Sequence, residues 1–169
     1  AVVVCHWPSR FSGPFGRESG ARQTEAVKDS LLRINKNMKV FVMGDMNDDP
    51  TNKSMHECLQ AKPEISQVGP DDMYNPWYNI LAKEGKGTLF YNGSWNLFDQ
   101  IVITPNLLNK DSKHKDFSTL KYFAHQVFRR DYLIQQDGQY KGAPLRTSAG
   151  GRWLNGFSDH LPVVMYLVK

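Results

Sequence analysis

Four short segments of the sequence place side chains that are suited to phosphate chemistry at one end of an apolar run. They are residues 4–9, 43–48, 97–101 and 158–163. The ends of strands are rigid positions that face loops, and catalytic groups are commonly held there. Because these segments together hold histidines, aspartates and an asparagine, they predict a site that activates water and stabilises charge on a phosphate.

The second segment contains the sequence Gly44-Asp45-Met46-Asn47. Glycine at a strand end lets the backbone turn sharply. Asp45 and Asn47 are two residues apart, so in extended geometry both side chains point to the same side. A carboxylate and an amide placed in this way can orient a water and donate to a phosphate oxygen. An ordinary Asx turn explains the same residues equally well.

The last segment contains Ser158, Asp159 and His160 at the start of an apolar run. An aspartate is a hard oxygen ligand that suits Mg²⁺. A neighbouring imidazole can stabilise phosphoryl charge or assist proton transfer. A single Asp-His pair is weak evidence by itself, so its value depends on the other segments.

Two further residues complete the candidate set. His6 follows the first apolar run, and Asp99 lies inside the run 98–103. A carboxylate in such a run is costly unless it is paired, and a histidine is its natural partner. Structural pairing without catalysis is the alternative for Asp99, as a satisfied strand-end histidine is for His6.

The elements that must position these residues follow from hydrophobic pattern and turn signals. We predict a strand over 2–5, buried on both faces, and a long helix that Ser19 caps and that ends near Asn35. Asn92-Gly93 predicts a turn between the strands 88–91 and 98–104. The remaining predictions are strands over 39–43, 120–128 and 161–168, short helices over 54–60 and 76–83, and a long surface loop over 135–151. Strands with helices between them indicate a mixed fold of sheet layers flanked by helices.

Composition sets wider bounds. The chain has 169 residues, of which 40% are hydrophobic and 22% charged, so it suits one folded domain and excludes general disorder. A net charge of +4 agrees with a phosphorylated or polyanionic substrate, and equally with a few surplus surface lysines. Cys5 and Cys58 fit no zinc motif, and they leave the compartment open. No stretch approaches the roughly 20 apolar residues of a membrane span.

Taken together, the order His6, Gly44-Asp45-Met46-Asn47, Asp99 and then Ser158-Asp159-His160 resembles the endonuclease/exonuclease/phosphatase family. This family includes DNase I-like nucleases, abasic-site endonucleases, inositol phosphatases and sphingomyelinases. Residues 87–91, with Trp95 and 98–101, also resemble its penultimate core region. The resemblance covers residues 2–168 and is specific for the family, not for a substrate.

The resemblance implies an α+β fold, a DNase I-like two-sheet β-sandwich flanked by helices, with the site at one end. In this family pattern Asp45 would orient or activate the attacking water, and Asn47 would hold that water or the phosphate. His160 would contact the scissile phosphate, Asp99 would orient His160, and His6 would be the second phosphate-side histidine. The implied reaction is in-line displacement at phosphorus.

The resemblance also implies a metal cofactor, Mg²⁺ with Mn²⁺ as the alternative, and Asp159 would lie at the metal or its water shell. Two departures from the family pattern stand out. Cys5 replaces the asparagine that usually precedes the first histidine. Family members also have an earlier half that supplies an asparagine and a metal-binding glutamate, and His6 comes too early for either. We therefore expect residues 1–169 to be the C-terminal portion of one domain, roughly 60% of it, with the missing N-terminal half as a partner.

The substrate class stays open between a nucleic acid and a small phosphoester. Arg10, Arg17 and Arg22 favour phosphate contacts, although a solvated basic face is an equal alternative. Trp95 could stack on a base or a sugar, although aromatic residues are more often core. From these residues we predict Arg10 and Trp95 as substrate-binding. A second hypothesis is a degenerate member that binds a phosphorylated ligand or a partner without turnover. Secretion after removal of an upstream signal peptide also stays open.

Overall fold

The computed structural model describes residues 1–111 and 113–169, and it confirms a mixed α+β architecture. Within the described residues the helices are α1 (Pro14–Ile34) and α2 (Trp77–Glu84). The strands are β1 (Val2–His6), β2 (Phe41–Asp45), β3 (Ala61–Lys62), β4 (Met73–Tyr74), β5 (Leu89–Tyr91), β6 (Ser94–Asn96), β7 (Asp99–Ile103), β8 (Lys121–Val127), β9 (Ser148–Ala149), β10 (Arg152–Trp153) and β11 (Val163–Val168). None of the described helices is long and apolar enough to cross a lipid bilayer.

The main sheet has five strands in the order β1-β2-β7-β4-β3. β1 and β2 are parallel, so the chain must cross over between them, and α1 makes this crossover. β7 is antiparallel to β2 on its other side. β2 therefore lies between β1 and β7, the strands that carry residues of the first and third polar segments.

The long helix begins at Pro14, earlier than the predicted cap at Ser19, and it ends at Ile34 close to the predicted end. Proline is well suited to the first helical position, because its missing N–H would have no partner there. Gly13 precedes it with a φ of 75°, a backbone conformation that glycine adopts readily. The helix buries Ala21 and Thr24 against the sheet, and its other buried side chains, Arg17 and Lys28, continue the same face.

The two faces of the main sheet pack against different layers. Val42 of β2 and Val102 of β7 face α1 and a cluster that includes Trp7 and Met55. Their neighbours in sequence point the other way, because successive side chains in a strand alternate. On that second face Ile101 and Ile103 join Trp77, and the antiparallel pair of β8 and β11 covers them. The residues thus form a two-sheet sandwich with helices, as predicted.

Strand β1 corrects the prediction of a buried strand over residues 2–5. β1 lies at the edge of the main sheet, and Val2 and Val4 are 61% and 75% exposed. Val3 and Cys5 alternate with them and pack against the α1 side. The β-branched run does form a strand, because it pairs with β2 along its whole length. The inference that this strand is buried was wrong, because the burial of a strand depends on whether another layer covers its second face.

The Asn92-Gly93 turn is present, but it joins other strands than predicted. Both residues have positive φ angles, of 49° and 79°, and they connect β5 to β6. Residues 98–104 instead contribute β7 to the main sheet. The predicted loop over 135–151 is mostly irregular, but its end forms a small hairpin of β9 and β10.

Two further segments differ from the predictions. The segment predicted as a helix over 54–60 is a short π-helical turn, Ser54–Cys58. The short helix after Pro76 is confirmed as α2, and Gly85 closes it in the left-handed conformation.

Candidate active site

Strand register brings three of the predicted site residues into one row. His6 at the end of β1 is the register partner of Asp45 in β2, and Asp45 is the register partner of Asp99 in β7. Neighbouring strands lie about 4.8 Å apart, so the three positions are adjacent across the sheet. The hydrophobic runs that form these strands therefore fix the spacing of the polar residues at their ends.

His160 joins this row through Asp99. The His160 imidazole Nδ1 lies 2.7 Å from Asp99 Oδ2, and both side chains are mostly buried. An ionised carboxylate only accepts hydrogen bonds, so Nδ1 carries the proton and donates it. Nε2 is then the ring nitrogen left for a substrate. The predicted pairing of Asp99 with a histidine is confirmed as geometry, whereas its catalytic meaning stays a prediction.

The backbone beside His160 is also held in place. His160 forms a β-bridge with Leu89, and the Leu161 N–H donates to the Thr88 carbonyl over 2.8 Å. The His160 N–H donates to the Ser158 hydroxyl over 3.0 Å. The imidazole thus rests on an anchored segment that enters β11, which favours a fixed geometry.

The charges around His160 raise its pKa. Burial by itself lowers the pKa, because it disfavours the charged imidazolium. The hydrogen bond and charge of Asp99 act in the opposite direction, and the charges of Asp45 and Asp159 add to them. The net result is a pKa above the ordinary histidine value. This environment favours a protonated His160 that can donate to a phosphate oxygen.

Asp45 and Asn47 are arranged differently from the extended geometry that we predicted. The Asn47 N–H donates to Asp45 Oδ1 over 2.8 Å, and Asn47 has a φ of 50°. This is the Asx turn that was the alternative. The Asn47 amide donates to the Trp7 carbonyl over 2.9 Å, so it ties the end of β2 to the segment after β1. His6 is the most open member, with its side chain 78% exposed and Nε2 3.6 Å from Asp45 Oδ2.

A buried ion pair connects the segment after β1 to the turn after β2. Arg17 Nε lies 2.8 Å from Asp48 Oδ1, and both side chains are almost completely buried. Arg17 Nη1 also donates to the carbonyls of Ser9 and Gly13, over 3.0 and 2.9 Å. The Ser54 hydroxyl donates to the other Asp48 oxygen over 2.7 Å. Arg17 therefore joins the loop after His6 to the turn after Asp45. The sequence indicated either a phosphate contact or a solvated basic face for Arg17, and both differ from this buried position.

Arg10, predicted to bind substrate, makes four hydrogen bonds within the protein. Its Nε donates to the Asn47 carbonyl over 3.2 Å, and its Nη2 donates to Asp49 Oδ2 over 2.9 Å. The other two bonds go to the side chains of Asn52 and Asn96. Substrate binding by Arg10 stays a prediction, but its geometry supports the turn that carries Asn47.

Trp95, the other predicted substrate contact, lies on the far side of the β5–β6 hairpin. Trp95 and Phe90 line a cavity of about 650 Å³ together with His125. Their neighbours Leu89 and Asn96 line a different groove, next to Asn47. Adjacent residues of a strand face opposite sides, so the hairpin separates the two spaces. A role for Trp95 in substrate binding also stays a prediction.

The predicted metal ligand, Asp159, has a half-exposed side chain 3.8 Å from Arg146 Nη2. Within residues 1–111 and 113–169, no group of three or more histidine, cysteine, aspartate or glutamate side chains is arranged to hold a metal ion. Magnesium needs oxygen ligands in near-octahedral geometry, although water and substrate can supply several of them. The described residues therefore do not fit a complete metal centre by themselves.

Comparisons with known proteins bear on the family and the fold of this chain. A sequence model described as the Endonuclease/Exonuclease/phosphatase family matches residues 1–169. No curated protein matches the chain. A solved mannosyl-6-phosphatase of Bacteroides thetaiotaomicron is 18% identical with a TM-score of 0.50, and the match covers 93% of this chain and 47% of that one. An endonuclease/exonuclease/phosphatase family protein of the same organism is 20% identical with a TM-score of 0.47, over 92% and 44%.

The family match and the likeness to the mannosyl-6-phosphatase structure confirm the DNase I-like fold that the resemblance implied. The chain spans less than half the length of the two solved structures, at 47% and 44% of them. At 18% identity, the first likeness is one of fold and does not carry a substrate.

The Asp99–His160 pair generates a prediction about titration. In metal-free protein, Asp99→Asn should lower the His160 pKa, because it removes the hydrogen bond and the charge that favour the imidazolium. Imidazole NMR signals followed against pH measure this. Asp111→Asn is the matched control, since Asp111 forms an exposed pair with His114 at 2.8 Å. An unchanged His160 titration in Asp99→Asn would contradict the assignment.

The same pair predicts how stability depends on pH. A pKa that is raised in the folded state adds stability below the ordinary histidine pKa of about 6.5, and this stability is lost as the pH rises through the folded value. Asp99→Asn should therefore lower the free energy of unfolding more at pH 5 than at pH 9, by about 1–3 kcal/mol at the lower pH. Urea unfolding at both pH values tests it. An equal loss at both would be evidence against a charged pair.

The buried Arg17–Asp48 pair predicts a large mutational effect. Arg17→Met should lower the free energy of unfolding by about 3–5 kcal/mol, because it leaves the Asp48 carboxylate buried without its partner. Arg22→Met is the control, since Arg22 is exposed and lies 3.5 Å from Glu18. That change should cost about 0–1 kcal/mol. Equal losses in urea unfolding would mean that the pair does not hold the loops.

Proposed function

The chain belongs to the endonuclease/exonuclease/phosphatase family, and on that premise we propose that it takes part in metal-dependent hydrolysis of a phosphate ester. The observation that carries the proposal is the Asp99–His160 pair, which lies beside Asp45 at one end of the main sheet. Family membership and a phosphatase among the structural neighbours support hydrolase chemistry. Metal dependence and the roles of single residues are the proposed part.

The proposed reaction is in-line attack of water on phosphorus. Asp45 orients the water and accepts its proton, since its carboxylate lies in the row between His6 and Asp99. His160 donates from Nε2 to a non-bridging phosphate oxygen, where negative charge grows in the transition state. As the new P–O bond forms, the bond to the ester oxygen breaks, and that oxygen takes up a proton from solvent water and leaves as an alcohol.

The other residues have supporting roles in this proposal. Asp99 fixes the tautomer of His160 and keeps its pKa raised, so it acts through the imidazole. His6 is a second contact for the phosphate, for which its exposed ring is free to move. Asn47 lines the groove beside the row and holds the turn that carries Asp45.

The metal ion is proposed as Mg²⁺, with Mn²⁺ as a substitute. Members of the family generally use divalent metals. Because the described residues assemble no group of three metal-ligating side chains, we propose that Asp159 is one ligand and that a carboxylate from outside residues 1–169 is another. We also propose that these residues act as the C-terminal portion of one domain, with an N-terminal half as partner.

We favour a small phosphoester over a nucleic acid as substrate. A nuclease needs free cations that follow the phosphates of a strand. Of the three arginines after His6, Arg17 is buried against Asp48, and Arg10 is bonded to the turn around Asp49. Arg22 lies 3.5 Å from Glu18. These three arginines are thus engaged within the protein and do not by themselves form a nucleic-acid surface.

The second candidate function is binding of a phosphorylated ligand without turnover. The observation that favours it is the same lack of a three-ligand cluster within the described part of the chain. Turnover separates the two candidates, because a binding module keeps its affinity and hydrolyses nothing.

Hydrolysis of bis(p-nitrophenyl) phosphate by the intact protein tests the proposal. With Mg²⁺ or Mn²⁺ we expect turnover that EDTA removes, and His160→Gln should lower kcat/KM by about 10²–10⁴-fold. His114→Gln is the control, since His114 is exposed and lies in a pair with Asp111. Turnover that is unchanged in His160→Gln would refute the assigned role, and no turnover by the intact protein would favour the binding module.

Metal affinity gives a separate prediction. Residues 1–169 alone should bind Mn²⁺ with a dissociation constant of about 1 mM or weaker, because the described carboxylates do not complete a site. Electron paramagnetic resonance of free Mn²⁺ measures this. Asp159→Asn should weaken the binding further. Tight binding by these residues alone would show that no outside carboxylate is needed.

A further inference from the structure

A groove of about 350 Å³ opens directly beside the candidate active site. Its lining includes Asn47, in the turn that follows Asp45. Its lining also includes Leu89, whose backbone pairs with His160. The groove thus adjoins both sides of the place where we put the phosphate. A group esterified to that phosphate would extend into it.

Two exposed aromatic side chains flank this groove. Phe11, from the turn between β1 and α1, is 96% exposed, and Tyr91, from the tip of the β5–β6 hairpin, is 54% exposed. Phe98 is buried in the floor between them. Exposed aromatic rings that line a concave surface next to polar groups are typical of ligand sites. Phe11 contributes little to the packing of residues 1–169, because almost none of its surface is buried within them.

The charges of the groove are already compensated. Arg10 is the one cation among the described residues that line it, and its Nη2 lies 2.9 Å from Asp49 Oδ2. Its Nε lies 3.5 Å from Asp48 Oδ1, and its guanidinium covers the Phe98 ring at 4.4 Å. A second phosphate or a carboxylate would therefore find no unpaired positive charge here. The complementary ligand is neutral.

The polar atoms that line the groove further limit which neutral ligand fits it. Ser9, Asn47 and Asn96 supply a hydroxyl and two amides, and Tyr91 adds a phenol. A neutral ligand with flat C–H faces and hydroxyls at its rim matches aromatic flanks and amide walls together. The negative face of an aromatic ring attracts C–H groups that carry a small positive charge. Asn47 Nδ2 and Asn96 Oδ1 already bond to the Trp7 carbonyl and to Arg10. An acyl chain would cover the other amide atoms, Asn47 Oδ1 and Asn96 Nδ2, without bonding to them.

From these observations we infer that the groove is a subsite for a pyranose ring, so that the substrate is a phosphorylated carbohydrate whose sugar packs between Phe11 and Tyr91. This inference rests on the proposed function for the position of the phosphate. The groove itself, with its exposed rings and compensated charges, is independent of turnover. Phe11 and Tyr91 are then specificity residues, and they take no part in bond breaking.

The test is binding of neutral glycosides to the intact protein, measured by saturation-transfer difference NMR. The probes are methyl β-glucopyranoside, methyl α-mannopyranoside and methyl β-galactopyranoside. At least one should receive saturation through its ring C–H groups. Phe11→Ala and Tyr91→Ala should each weaken the affinity for that glycoside about tenfold. Phe15→Ala is the matched control, because Phe15 is 79% exposed in the first turn of α1 and does not line the groove, and its affinity should equal that of the unaltered protein.

Several results would overturn the inference. One such result is that none of the three glycosides receives saturation. Another is that Phe11→Ala, Tyr91→Ala and Phe15→Ala bind the glycoside with equal affinity. A deoxythymidine dinucleotide that binds in their place, and that the first two changes weaken, would assign the groove to a base. Because the glycosides carry no phosphate, their binding without any hydrolysis of bis(p-nitrophenyl) phosphate would support the subsite and refute the proposed function alone.

Discussion

The register of β2 between β1 and β7 is the constraint on which the candidate site depends. The pairing of these strands puts His6, Asp45 and Asp99 side by side at one end of the sheet. A slip of one residue would turn every side chain of a strand to the other face. The two core clusters oppose such a slip, because Val42 and Ile101 each fill a different layer. Packing far from the polar residues thus sets their spacing.

The basic residues show how charge is used in this molecule. Arg17 and Arg10 both bind the turn that follows β2, through Asp48 and Asp49. A buried ion pair contributes little net stability by itself, but the loss of one partner is costly. The pair therefore determines the conformation of the turn more than it adds to the free energy of unfolding. A consequence is that the groove beside the site has compensated charges and exposed aromatic rings, which favours neutral ligands.

Several elements could be predicted from sequence because their signals are local. The helix α2 has an apolar face and a left-handed glycine at its end. The apolar run that ends at Asp45 and the apolar run that follows His160 form strands, as expected. The partner of Asp99 could also be predicted, because a carboxylate in an apolar strand needs one. None of these features required knowledge of the tertiary contacts.

The remaining features depend on tertiary context. Val2 and Val4 are exposed because the described residues form no layer over that face of β1. A run of valines does not show whether a second layer is present. Strands β3 and β4 have two residues each, too short for any periodic pattern. Arg17 is one of several arginines along a helix, and only the packing of α1 shows that it faces Asp48. The groove between Phe11 and Tyr91 joins segments that are distant in sequence.

We propose that Asp99 acts in catalysis through His160, and a double-mutant cycle measures this coupling. The quantity compared is kcat/KM for bis(p-nitrophenyl) phosphate in the intact protein, in Asp99→Asn, in His160→Gln and in the double variant. We expect the double variant to be no slower than His160→Gln alone, since groups that act as a unit are strongly non-additive. Losses that multiply would contradict it, because Asp99 and His160 would then act independently.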